Sequence, residues 1–151
     1  MKTILSLIAA CILFSITGCA NAPQFKMSPE LGAASVRVSV TVGAGLVLNK
    51  NPKYIPVTEA LANGISAAIS TSAVITPGLI AQYVTQVCEK YKVSSDDVGL
   101  FITLATTIYD TYVATYKPTV ISSTDPNVLL YVNAFRDGLL AAAAIASSKS
   151  S

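Results

Sequence analysis

The stretch Val36-Arg37-Val38-Ser39-Val40-Thr41-Val42 decides the fold. It alternates perfectly, with valine at every second site, which taken locally is the pattern of a β-strand. A strand needs a neighbour, because unpaired backbone N–H and C=O groups are costly once buried. No convincing second strand is found: residues 73–76 (AVIT) and 119–122 (TVIS) are too short to build a sheet. We therefore expect residues 34–48 to be helical, with tertiary packing overriding the local pattern. The alternative is a small α+β arrangement in which 36–42 is a strand.

Outward from this stretch, proline punctuates the chain. Asn51-Pro52, Thr76-Pro77 and Asp125-Pro126 each set a capping side chain before a proline, and proline suits the first helical position because its missing N–H would lack a partner there. Ser94-Ser95-Asp96-Asp97 has capping-box spacing with Asp in place of Glu, flanked by Val93 and Val98 at the spacing of a hydrophobic staple. Helical periodicity follows each start. Leu79, Ile80, Tyr83, Val84, Val87, Cys88 and Tyr91 form one stripe. A second runs from Val98 through Phe101, Ala105 and Ile108 to Tyr116, and ends at Lys117-Pro118. A third follows Pro126, and Thr58–Ser72 sets Leu61, Ile65, Ala68 and Ile69 on one side. The pattern predicts an all-α fold, a compact antiparallel bundle of about five helices with short connections.

Composition narrows the partners. The chain has 151 residues, 52% hydrophobic and 12% charged, with neither Trp nor His. That is one domain's length and enough to bury a core. So few charges suit either a membrane protein or a soluble domain rich in Ala and Val. Net charge is +2 and the ten basic residues are scattered, so no stripe tracks a phosphate backbone and nucleic acid is not an expected partner.

The N-terminus carries the most specific signal. Lys2 precedes an almost wholly apolar run, ILSLIAACILFSI at 4–16, too short to span a bilayer comfortably and placed like a signal peptide's apolar core. Ile16-Thr17-Gly18-Cys19 then resembles the lipobox of bacterial lipoproteins, with Ile where Leu is commonest. The resemblance covers about 20 residues and says nothing of the rest. It implies that Cys19 is alkylated with diacylglycerol, that cleavage follows Gly18, and that acylated Cys19 becomes the mature N-terminus. Ala20 in place of Asp after the cysteine implies sorting to an outer membrane, facing the periplasm; in a source without one the anchor is the plasma membrane. The alternative is an ordinary secretory signal cleaved after Ala20 or Ala22. The expected divisions are a signal peptide at 1–18, acylated Cys19 and a flexible tether at 19–33, a helical domain at 34–147, and a disordered tail at 148–151. With Cys11 removed and Cys19 lipidated, Cys88 stands alone: a buried small hydrophobe, or the link of a disulfide dimer.

Little else points to chemistry. Without His, no Ser-His-Asp or Cys-His arrangement exists, and no phosphate loop, zinc spacing or calcium loop occurs, so neither metal nor cofactor is expected. Of the eight carboxylates, Asp110 and Asp137 are the pair that a hydrolase would use across helices, against a plainer reading as solvated surface charges. Tyr109, Tyr112 and Tyr116 recur along one helix face: exposed, they would hold a glycan or an envelope protein; buried, they are core with hydroxyls at the rim. The charge-free run 60–88 and the window 98–116 raise a membrane-perturbing alternative, a lysis or exclusion factor. Both read better as buried helices, one interrupted at Pro77-Gly78 and one carrying Asp110. The expected function is a non-catalytic interaction or structural domain tied to membrane lipid through Cys19.

Overall fold

A computed structural model of the chain describes residues 28–150. The expected signal peptide and Cys19 lie outside the described residues. Val36–Val42 falls in the middle of helix α1, Pro29–Lys50. In a helix, residues four apart share a face while residues two apart oppose each other. Alternating valines are therefore divided: Val36, Val40 and Ala44 enter the core, while Val38 and Val42 are 63% and 59% exposed. Each valine costs up to about 0.7 kcal/mol of helix propensity relative to Ala. Each one fully buried returns about 1.5–3 kcal/mol. With Val36, Val40, Val47 and Leu48 all buried, packing outweighs propensity.

Helix α1 starts earlier than expected. Ser28 Oγ accepts a hydrogen bond from the Leu31 N–H at 3.2 Å, with Pro29 at the first helical position. Residues 29–33, expected in the tether, are helical, and Gly32 and Ala33 are buried. Asn51-Pro52 opens only a short 3-10 turn, Pro52–Tyr54, with no side-chain cap, and α2 (Ile55–Ser70) follows directly. Helix α3 (Pro77–Lys90) is capped by Thr76, whose Oγ1 accepts from Leu79 N–H at 3.1 Å. Helix α4 (Ser95–Tyr116) begins at Ser94, whose Oγ accepts from Asp97 N–H at 3.4 Å and donates to Asp97 Oδ2 at 2.6 Å. The Ser94 N–H goes to the Tyr54 hydroxyl at 3.3 Å instead of to the Asp97 carboxylate that a full capping box would use. Left-handed Lys117 (φ 48°) closes α4 before Pro118. Helix α5 (Pro126–Ser150) starts where Asp125 Oδ1 accepts from Asn127 N–H at 2.8 Å. It continues to Ser150, so the expected disordered tail is helical as far as the described residues reach.

These five helices form a bundle in which α5 packs on α1 and α2, and α4 packs on α3 and α1. Thr41 Oγ1 donates to Gly138 O at 3.3 Å and Lys149 Nζ to Asn49 Oδ1 at 3.4 Å, so α1 and α5 run parallel. An odd count in an alternating bundle requires this of its first and last members. Their crossing is tight: a Cβ on Gly138 would lie 2.8 Å from the Arg37 carbonyl and 3.0 Å from Val40 Cβ. The α+β alternative is corrected, since 36–42 is helix and no strand occurs among the described residues. The two short segments set aside above pair with each other instead. Val74 and Ser122 form one isolated antiparallel bridge, and Ile75 N–H donates to Ile121 O at 2.9 Å. That bridge closes one end of the bundle over buried Ile75 and Ile121.

Candidate functional site

Cys19 through Met27 are nine residues, after which Ser28 caps α1.

The tyrosine ladder on α4 turns mostly inward. Tyr112 is 4% exposed, whereas Tyr109 and Tyr116 are half-buried against the core. Tyr112 and Tyr116 lie with ring centroids 4.7 Å apart, and Tyr131 of α5 meets them edge-on at 5.8 and 6.3 Å. Gly32 of α1 presses on this cluster, since a Cβ there would fall 1.9 Å from the Tyr131 hydroxyl. A side chain at 32 would require the buried Tyr131 ring to shift. Burial of Tyr112, the innermost of the three, and of Tyr131 is workable because their hydroxyls find partners. Tyr112 donates to the Asp125 carboxylate, and Tyr131 to Thr115 Oγ1 at 3.3 Å. Burial, then that hydrogen bond, push the Tyr112 hydroxyl up, and the same bond is the main reason the Asp125 carboxyl is held below its usual range. The Tyr116 hydroxyl is shielded and has no hydrogen-bond partner. The three tyrosines therefore do not form one exposed docking ladder; Tyr109 alone stands clear of the ring cluster.

A different surface takes that place. Leu31, Val38, Val42 and Leu46 are each at least half exposed on the outward side of α1. At Leu46 this side opens into an apolar groove of about 310 Å³ between α1 and α4, walled by Gly43, Val47, Leu100 and Leu104 and closed by Lys50 and Asp97. The alternation in 36–42 was the signal for it: once the segment is a helix, half of its valines must face away from the core.

The remaining candidates occupy ordinary places. Asp137 Oδ1 pairs with neighbouring Arg136 at 3.0 Å, with both side chains 41% exposed, and Asp110 is exposed on α4. Cys88 is free and buried, its thiol pushed up to about 11 by burial, and it would have to leave the core to bridge two chains. Tyr83 beside it donates to Ala60 O at 3.2 Å and Leu61 O at 3.0 Å. Among the described residues no group of three or more Cys, Asp and Glu side chains is gathered for a metal. The run 60–88 is broken between α2 and α3, while α1 and α5 are the two described helices long and apolar enough to cross a membrane. Half of that α5 window is buried inside the bundle, as in a core helix. No family model, curated protein or solved structure matches the chain.

Proposed function

We propose that this protein is a bacterial envelope lipoprotein, acylated at Cys19, whose five-helix domain acts by binding rather than by catalysis. The carrying observation is the Ile16-Thr17-Gly18-Cys19 motif directly after a 13-residue apolar run from Ile4 to Ile16. Two features support the reading. The chain from Cys19 reaches the cap of α1 in nine residues, and the domain has an apolar outward face next to that entry. Two or three acyl chains hold a protein to a bilayer almost permanently, because each buried methylene contributes about 0.8 kcal/mol. Expression in a bacterium fed an alkyne fatty acid tests the anchor: the wild type takes up label and Cys19→Ala does not. An unlabelled wild type, or equal label on both, contradicts it.

A membrane-perturbing role is the second reading, favoured by the length and apolar character of α1 and α5. It predicts dye release from liposomes by the purified protein. Intact liposomes count against it.

A further inference from the structure

The outward side of α1 presents an apolar stripe to the surface of the domain. Leu31, Val38, Val42 and Leu46 are 50%, 63%, 59% and 55% exposed. At 3.6 residues per turn they fall within an arc of about 80°, in a stripe about 22 Å long. Two of the three hydroxyls near the stripe are turned back on the helix: Ser35 Oγ donates to Gly32 O at 2.7 Å and Thr41 Oγ1 to Arg37 O at 2.8 Å, while Ser39 is exposed. The two bonded hydroxyls then need no water. The charges of α1 are Glu30 in its first turn, then Arg37 and Lys50, with Lys53 just beyond, so that cations outnumber anions three to one and all four are exposed. Long basic side chains can keep their charges among anionic headgroups while their stems lie along apolar surface.

Chain length selects the occupant. Nine residue steps separate Cys19 from Ser28, a span of at most about 30 Å. The stripe starts at Leu31, one turn inside the helix that this tether feeds. An acylated Cys19 therefore holds the stripe within reach of the bilayer at all times. A second copy is the weaker fit, since four half-exposed side chains offer roughly a few hundred Å². A stable dimer buries about 800 Å² per partner. We propose that α1 lies along the membrane surface, with Leu31, Val38, Val42 and Leu46 seated at the boundary between headgroups and acyl chains. This rests on the acylation of Cys19 and adds to it an orientation of the whole bundle, with α1 towards the lipid.

The chain has no tryptophan, so a single introduced one reports its surroundings without background. Full-length acylated Val42→Trp, with Leu46→Trp as a second probe should the first misfold, is placed in vesicles of phosphatidylethanolamine and phosphatidylglycerol. Gln86→Trp, at an exposed site on α3, is the control. The expected result is a blue-shifted emission quenched severalfold more strongly by brominated lipid than that of Gln86→Trp. Mass spectrometry of the N-terminal peptide separates the two claims. An acylated chain whose α1 probes behave like the control overturns the orientation and leaves the anchor standing. A chain without acyl mass overturns both. A blue shift that follows protein concentration and resists brominated lipid assigns the face to a second copy, and likewise overturns the proposal.

Discussion

Two stripes at helical spacing met opposite fates: the tyrosines of α4 and the outer valines of α1. Side-chain chemistry alone would send tyrosine to the surface and valine to the core. Tyr112 is 4% exposed and Val42 is 59% exposed. The difference lies in what each segment can satisfy. A tyrosine may be buried when its hydroxyl has a partner, and Asp125 at the head of α5 supplies one. A helix built on a period of two cannot bury all its valines, whichever way it is rotated. Residue type is thus a weaker guide to burial here than periodicity set against the actual secondary structure.

The strongest way to break the comparison is a charge on each side of α1. Val40→Asp should abolish or nearly abolish folding, at a cost above about 4 kcal/mol, because an unpaired carboxylate would be placed against Gly138 and the core. Val42→Asp should remain folded and lose less than about 1 kcal/mol in urea denaturation. Equal losses would mean that the two valines share an environment.

Much of this was legible in the chain. Thr76-Pro77, Asp125-Pro126 and Ser94 mark helix starts because a capping oxygen and a proline act locally, without help from the fold. Ser28-Pro29 carries the same signature, and reading it that way would have moved the start of α1 out of the tether. Asn51-Pro52 misled in part, since the following turn is tightened to 3-10 geometry and its side chain caps nothing. The inward turn of the tyrosines was not legible. It depends on Gly32, Asp125 and Tyr131, which lie on two other elements and come together only in the tertiary fold. The exposed α1 face was half legible, hidden while the same alternation was weighed as a strand.

The tyrosine stripe gives a smaller, finer contrast. Tyr112→Phe removes the hydrogen bond to Asp125 and should cost about 1–2 kcal/mol near pH 7. Tyr116→Phe removes a hydroxyl without a partner and should be neutral or stabilising by up to about 1 kcal/mol. The sign with pH follows from Asp125, whose carboxyl is held lower in the folded state. Its contribution is complete above the unfolded value near ~3.9 and is lost as pH falls through the depressed folded value. The gap between wild type and Tyr112→Phe in urea titrations should therefore shrink below about pH 4. A gap unchanged at pH 2–3 would remove Asp125 from the account. Smallest of all, Val42→Ala should be neutral or stabilising by up to about 0.7 kcal/mol, the propensity difference at an exposed helical site.

The division of Val36–Val42 between core and surface is tested most directly by cysteine accessibility. Single cysteines at 36, 38, 40 and 42, in a chain carrying Cys11→Ala, Cys19→Ala and Cys88→Ala, are challenged with maleimide under native conditions. Fast modification at 38 and 42, with 36 and 40 protected until the protein unfolds, is the predicted result. Modification at one common rate at all four positions, as expected of a strand with its valines on one side, would contradict it.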